Sequence, residues 1–136
     1  MYGDGTTRRD YTWSEDILRG VGAAIDYTTA HPNTFEVVNL GGHRTNTLAR
    51  LVELLADALG VTPALRRLPP QPGDVERTYA DVAKANRLLG YAPTVTLDEG
   101  IPRFVAWLRG CEPLRSDRLW AVPARHAGTP LAVPDH

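Results

Sequence analysis

The chain has 136 residues, 43% of them hydrophobic and 23% charged, and a formal net charge of −1. That length suits one domain with a modest core, and the near-neutral charge gives no general attraction to nucleic acid or to an anionic membrane. Cys111 is the only cysteine, which excludes an internal disulfide and favours a reducing, cytoplasmic compartment. No apolar run is long enough to span a bilayer, and we expect no signal peptide before the first motif.

The first informative stretch runs from Gly3 to Gly20. It begins with a glycine-rich turn, contains Arg8 and Arg9, and continues as a predicted strand over Arg9–Trp13. Two adjacent arginines between a turn and a strand can bind an anion, because guanidinium groups pair with phosphate oxygens. The spacing alone favours solvated arginines, because most arginines are exposed. Both interpretations stay open at this point.

The next segments predict a helix followed by a strand. The helix extends from Glu15 to Thr29, with Ser14 as its N-cap. Its apolar stripe follows the 3.6-residue period and consists of Ile17, Leu18, Val21, Ala24 and Ile25. Segment 34–40 is nearly continuously apolar and predicts a strand covered on both faces. The backbone donors of the Gly41-Gly42 pair that follows could bind an anion, although a simple tight turn is favoured.

The clearest helix is predicted over Thr45–Leu59, with Thr47 as its cap and Gly60 as its stop. A short strand is predicted over Ala64–Leu68. Segment 69–74 predicts a rigid loop, because its three prolines fix their own φ.

Two further helices are predicted, one over Asp81–Leu89 and one that begins near Thr96. The second starts with a capping box, in which Thr96 and Glu99 satisfy each other's backbone donors. Pro102 lies inside it, so the helix either begins nearer Glu99 or bends at the proline. Residues 111–136 are predicted to form a poorly ordered tail.

Four blocks of the sequence together resemble a known protein family. They are Gly-Asp-Gly-Thr-Thr-Arg-Arg-Asp-Tyr at 3–11, Phe-Glu-Val-Val-Asn-Leu-Gly-Gly at 35–42, Gln-Pro-Gly-Asp-Val at 71–75 with Thr-Tyr-Ala-Asp at 78–81, and Thr-Leu-Asp-Glu-Gly at 96–100. Their order and spacing resemble the extended short-chain dehydrogenase/reductases (SDRs), and among these the NAD-dependent nucleotide-sugar epimerases that act as UDP-glucose or UDP-glucuronate 4-epimerases. The resemblance extends over about residues 2–109 and matches only the C-terminal part of such an enzyme.

The resemblance implies a fold and a domain division. The expected fold is α/β, the C-terminal fragment of an extended SDR Rossmann-type protein with about four helices and a few short strands. Residues 1–110 would form the substrate-binding region, and 111–136 the tail.

The resemblance also implies a substrate site for a UDP-sugar. Arg9 corresponds to an arginine that binds the diphosphate, with Tyr11 beside it, and Asp74 corresponds to an aspartate that bonds the ribose hydroxyls. Gln71 stands where some members carry a further diphosphate-binding arginine, so its contact would lack a charge. These residue types suit the roles, because a diphosphate needs forked cationic donors and a diol suits a carboxylate acceptor. Without the family, Asp74 reads as an ordinary turn aspartate.

The catalytic parts of the family are not found in the sequence. Tyr79 precedes Lys84 by five residues instead of the four of the family's catalytic pair, and it lies in a late block. Gly20-Val-Gly22 lacks the third glycine of a dinucleotide fingerprint and sits inside a predicted helix. We therefore predict no catalytic residue, no bound cofactor and no metal site in this chain. In the whole family, the resemblance implies that NAD takes a hydride from the sugar C4 while a tyrosine takes the hydroxyl proton.

Three functions remain open. The first is the substrate-binding portion of a 4-epimerase, inactive alone. The second is a stand-alone UDP-sugar-binding or complementation module, with a separate NAD-binding half or a homodimer partner; in that case segment 34–40 would expose apolar surface when the chain is alone. The third is a fragment of a related nucleotide-sugar dehydratase or reductase.

Overall fold

The structure, a computed structural model, describes residues 1–111. Within this range the chain forms α1 (Ser14–Ala30), α2 (Leu48–Leu59), α3 (Ala83–Leu89), α4 (Leu97–Gly110) and two short strands, β1 (Arg8–Arg9) and β2 (Asn46–Thr47). The strands pair antiparallel, with Arg8 opposite Thr47 and Arg9 opposite Asn46. The expected α/β fragment with about four helices is confirmed. The predicted tail lies outside the described residues beyond its first residue.

Helix α2 begins and ends at the predicted signals. The Thr47 hydroxyl accepts the N–H of Arg50 at 3.1 Å, and Gly60 ends the helix with a left-handed φ of 72°. The helix begins at Leu48, later than predicted, because Asn46–Thr47 has the extended backbone of β2.

Helix α4 begins at Leu97 with the predicted capping box. The N–H of Thr96 donates to Glu99 Oε2 at 2.9 Å, and the N–H of Glu99 donates to the Thr96 hydroxyl at 3.3 Å. The alternative start nearer Glu99 is therefore wrong, and Pro102 lies inside the helix. The missing N–H of Pro102 costs about 3 kcal/mol, which burial of Ile101 and Val105 on the same helix offsets.

The predicted cap and strand at the start of α1 are wrong. Ser14 is already helical, and Trp13 occupies the N-cap position without a side-chain hydrogen bond. The predicted strand Arg9–Trp13 is reduced to β1, which stops at Arg9 because its partner β2 is only two residues long. Helix α3 likewise begins at Ala83 instead of Asp81, whose carboxylate accepts the Ala83 N–H at 2.9 Å.

Segments 34–40 and 64–68 do not form the predicted strands. A strand needs a neighbour for its backbone N–H and C=O groups, and no strand lies beside either segment within residues 1–111. Leu68 makes a single parallel bridge to Tyr2. Phe35 is 90% exposed and Val37 68% exposed, so the expected exposure of apolar surface on segment 34–40 is confirmed.

The core is small and lies between α1, α3 and segment 38–41. Val82, Ala85 and Tyr91 are buried there, and Val38, Leu40, Ala80 and Leu89 pack against them. The apolar stripe of α1 is only partly covered, since Leu18 is 66% and Ile25 61% exposed. No helix of the described part is both long and apolar enough to cross a membrane.

One carboxylate ties the opening stretch to two distant segments. Asp10 Oδ1 accepts the N–H of Gly42 at 2.9 Å, while Oδ2 accepts those of His43 at 3.2 Å and Ala80 at 3.1 Å. The Asp10 N–H in turn donates to the Thr78 hydroxyl at 3.2 Å. The backbone donors of the Gly41-Gly42 turn therefore do hold an anion, and that anion is the chain's own aspartate.

Gly20 is a packing residue of α1. A Cβ placed on it would lie 2.8 Å from both Cδ atoms of Leu40 and 2.9 Å from Tyr91 Cδ2, whereas a Cβ on Gly22 would meet nothing within 4 Å. We expect Gly20→Ala to lower the free energy of unfolding by about 1–3 kcal/mol through overpacking. Gly22→Ala, in the same helix, is the control and should keep or raise stability by up to about 1 kcal/mol. Urea unfolding followed by circular dichroism measures both, and equal stability of the two variants would contradict this packing role.

Replacement of Asp10 should release two segments at once. In Asp10→Asn, the side-chain amide group would face backbone N–H donors, so we expect a loss of about 2 kcal/mol or more in unfolding free energy. Asp26→Asn, on the exposed face of α1, is the matched control and should change stability by less than about 0.5 kcal/mol. Hydrogen exchange of the Gly42, His43 and Ala80 amides localises the effect. Unchanged protection of all three amides in Asp10→Asn would show that the carboxylate does not hold them.

Candidate functional site

A cavity with a volume of about 850 Å³ lies between the first eight residues and segment 67–77. Its side-chain lining includes Tyr2, Arg8, Arg67, Gln71, Asp74, Glu76 and Arg77. Two isolated bridges join the segments on either side of it, one between Tyr2 and Leu68 and one between Arg8 and Arg77.

Backbone hydrogen bonds hold both ends of the cavity wall. At one end, the N–H of Gly3 donates to the Leu68 carbonyl at 2.9 Å. At the other, the N–H of Arg8 donates to the Glu76 carbonyl at 2.8 Å, and the N–H of Thr78 donates to the Arg8 carbonyl at 3.1 Å. The proline-rich loop between these ends is therefore held in place although it has no regular secondary structure.

Three of the four predicted site residues are joined by contacts beside this cavity. Gln71 and Asp74 line it, and Arg9, which does not, reaches it through Asp74. Arg9 Nη2 forms an ion pair with Asp74 Oδ1, and Arg9 Nη1 donates to the Arg8 carbonyl at 2.9 Å. The N–H of Asp74 donates to the Gln71 carbonyl at 3.1 Å, so one turn presents both side chains to the cavity. Arg9 reaches this turn from 65 residues away.

Tyr11, the fourth predicted residue, faces a different space. It lines a smaller pocket of about 280 Å³ between α2 and α4, together with Leu51, Leu97 and Phe104. Burial raises the pKa of the Tyr11 phenol, and the charge of Arg9 opposes that rise. The structure does not bring Tyr11 into the cavity that Gln71 and Asp74 line.

The residues compared above with the family's catalytic pair and glycine fingerprint make structural contacts. The Tyr79 hydroxyl lies 2.9 Å from His43 Nδ1, while Lys84 Nζ pairs with Glu36 Oε2 at 2.7 Å. Gly20 and Gly22 both lie inside α1, and Gly20 packs on Leu40. Residues 1–111 contain no group of three or more His, Cys, Asp or Glu side chains that could hold a metal ion.

No recognisable motif in the sequence marks three residues of the cavity. Tyr2, Arg67 and Arg77 line it, and none was selected from the sequence as a site residue. Their proximity depends on bridges between residues 66 and 69 positions apart, Tyr2 with Leu68 and Arg8 with Arg77, which no local pattern predicts. The sequence signal for these cavity residues is the frequency of arginine in the two segments that form the cavity.

Comparison with known proteins identifies one family over most of the chain. The family described as GDP-mannose 4,6 dehydratase matches residues 1–104. A UDP-glucuronate 4-epimerase of Thermodesulfobacterium geofontis is 34% identical over 108 residues, which are 79% of this chain and 32% of that protein.

Solved structures give the same result. UDP-glucuronic acid 4-epimerase from Bacillus cereus, in complex with UDP-glucuronic acid and NAD, superposes with a TM-score of 0.69 and 31% identity over 81% of this chain and 34% of that one. UDP-glucose 4-epimerase from Thermotoga maritima, with UDP-glucose, gives a TM-score of 0.70 and 33% identity over 81% and 34%. This chain therefore belongs to the NAD-dependent nucleotide-sugar epimerase and dehydratase family of extended SDR type, and it spans about a third of the length of the relatives that it matches.

Proposed function

We propose that this chain forms the nucleotide side of the UDP-sugar pocket of an NAD-dependent nucleotide-sugar 4-epimerase. The observation that carries the proposal is the ion pair of Arg9 with Asp74, which lines the large cavity together with Gln71 on the same turn. A guanidinium can bind a diphosphate, a carboxylate can accept two ribose hydroxyls, and an amide can donate beside them. The epimerases of Bacillus cereus and Thermotoga maritima, solved with UDP-sugars, support this ligand class.

In this proposal the ligand exchanges with the Arg9–Asp74 ion pair. Without ligand, Asp74 supplies the negative charge beside Arg9. A bound diphosphate takes that place, and the released carboxylate accepts the ribose hydroxyls. Gln71, on the same turn, donates its amide N–H to the ligand. The position of Tyr11 between α2 and α4 assigns it a supporting role behind Arg9 instead of a direct contact.

We infer that the chain alone binds no NAD and does not catalyse epimerisation. NAD would supply the hydride acceptor in the whole family, but the described residues do not fit a dinucleotide. Gly20 and Gly22 lie within a helix, and Gly20 packs against Leu40 and Tyr91. No glycine loop with free backbone N–H donors is therefore formed there. Tyr79 and Lys84 are engaged with His43 and Glu36.

A complementation module is the second candidate, and the exposed apolar surface favours it. Phe35, Val37 and the outer face of α1 are open to solvent, and segment 34–40 is extended without a strand partner inside residues 1–111. A separately supplied NAD-binding half would cover this surface and add the missing strand pairing. A homodimer partner would cover it as well. A fragment of a related nucleotide-sugar dehydratase or reductase is the third candidate, because the family model described as GDP-mannose 4,6 dehydratase matches residues 1–104.

We further propose that residues 1–110 form the substrate-binding unit and that residues 111–136 are an appended tail. The lone thiol Cys111 and the family relationship support a cytoplasmic location.

Arg9→Ala should abolish most of the affinity for UDP. The substitution removes a charged donor and leaves Asp74 unpaired in front of the ligand, so we expect at least a roughly tenfold increase in Kd. Isothermal titration calorimetry with UDP measures the change. Arg87→Ala, which removes an exposed arginine at the end of α3, should leave the affinity unchanged.

Two results would contradict the proposed function. One is wild-type affinity for UDP in the Arg9→Ala chain. The other is 4-epimerisation of UDP-glucose or UDP-glucuronate by this chain alone, because that would require catalytic groups that the proposal denies it.

A further inference from the structure

We propose that Arg8 and Arg77 form a second anion subsite in the large cavity, which binds the phosphate that Gln71 cannot neutralise. The inference rests on the proposed function for the identity of the ligand. The case for an anion rests on the two arginines themselves. Neither residue was assigned a role by the family resemblance.

The backbone places the two arginines side by side. Arg8 and Arg77 are partners in an isolated parallel bridge, which the Arg8 N–H to Glu76 carbonyl bond (2.8 Å) and the Thr78 N–H to Arg8 carbonyl bond (3.1 Å) flank. Laterally paired residues of adjacent extended segments carry their side chains on the same face. Both residues line the cavity that Gln71 and Asp74 also line.

Each guanidinium is held in position before any ligand arrives. Arg8 Nε donates to the Thr45 hydroxyl at 2.9 Å, and Arg8 Nη2 donates to the Thr45 carbonyl at 2.7 Å. These two bonds leave three of the five guanidinium N–H donors for a ligand. Arg77 lies over the Tyr79 ring with its Cζ 4.9 Å from the centroid, and the Tyr79 hydroxyl is fixed by His43 at 2.9 Å. Fixed donors lose less rotamer entropy when an anion binds.

The charges of these two arginines are not balanced by carboxylates of the described part. Within residues 1–111, Arg9, Arg19 and Arg50 have ion-pair partners at 4 Å or closer, but Arg8 and Arg77 do not. Two like charges on laterally paired residues repel each other. A phosphate between them removes this repulsion and accepts forked hydrogen bonds from both.

The acidic residues of the cavity do not fill this place. Asp74 is paired with Arg9. The Asp4 carboxylate accepts from the Thr6 hydroxyl at 2.6 Å and from the Thr6 N–H at 2.9 Å, and these bonds lower the Asp4 pKa. Glu76 also lines the cavity and forms no ion pair with a described residue, so its charge opposes a bound phosphate.

The subsite explains how this chain can manage with glutamine at position 71. An uncharged amide donates a hydrogen bond but contributes no positive charge to balance a doubly charged diphosphate. Arg8 and Arg77, which line the same cavity, supply the positive charge.

The test titrates the full chain with pyrophosphate, UDP and uridine by isothermal titration calorimetry. Arg8→Gln and Arg77→Gln should each weaken UDP and pyrophosphate binding about threefold to tenfold, reduce the salt dependence of binding, and leave uridine binding unchanged. Glu76→Gln should strengthen pyrophosphate binding. Arg87→Gln is the matched control and should change none of these values. Arg77→Gln leaves the Thr45 contacts of Arg8 intact, so its effect on binding reports the loss of charge and not a loosening of β1. Equal thermal unfolding temperatures of the variants would verify that the fold is unchanged.

The outcomes separate this inference from the proposed function. Unchanged UDP and pyrophosphate affinity in both arginine variants overturns the subsite, while the Arg9 dependence of UDP binding still stands. Pyrophosphate binding that depends on Arg8 and Arg77, in a chain that does not bind UDP, supports the subsite and contradicts the proposed ligand. A wild-type chain that does not bind pyrophosphate overturns the subsite.

Discussion

The fold of the site depends on the Asp10 carboxylate, which accepts three backbone N–H groups from segments 32 to 70 residues further along the chain. This contact sets the directions of the residues on either side of it. In a regular strand, Arg9 and Tyr11 would point to the same face. Strand β1 ends at Arg9, and the next residue, Asp10, contacts the Gly41-Gly42 turn. Arg9 therefore faces Asp74, whereas Tyr11 faces the pocket between α2 and α4.

A second carboxylate of the opening stretch organises the other half of the chain in the same way. Asp16 is 1% exposed, accepts the N–H groups of Thr94 at 3.2 Å and Val95 at 3.1 Å, and pairs with Arg19. It fixes the segment that leads into α4 against the first turn of α1. A buried charge is tolerated when it is paired and hydrogen-bonded in this way. Asp10 and Asp16 thus hold distant loops against the opening stretch, and in the proposed function Arg9 is left to contact the ligand.

The elements predicted correctly from sequence are those whose signals are local. The Thr47 cap, the Gly60 stop and the capping box at Thr96 each lie within a few residues of the backbone groups they satisfy, and α2 and α4 follow them. The strand predicted over 34–40 is wrong, because strand formation depends on a neighbouring strand that the periodicity of the sequence cannot reveal. The same limit applies to the site. The family resemblance selected Arg9 and Asp74, but the bridge of Arg8 to Arg77 joins residues 69 positions apart and is visible only in the fold.

In the proposed function, the Arg9–Asp74 ion pair lies where the ligand binds but does not prevent binding. Both side chains are partly exposed, at 25% and 45%, and an ion pair at the surface contributes about 1 kcal/mol or less. Separating the pair therefore costs little compared with what a diphosphate gains from the same guanidinium in a charge-assisted contact. The freed Asp74 is not left unsatisfied, because in the proposed function ribose hydroxyls donate to it. The pair keeps each charge neutralised in the absence of ligand, and in the proposed function its two groups separate to contact the diphosphate and the ribose.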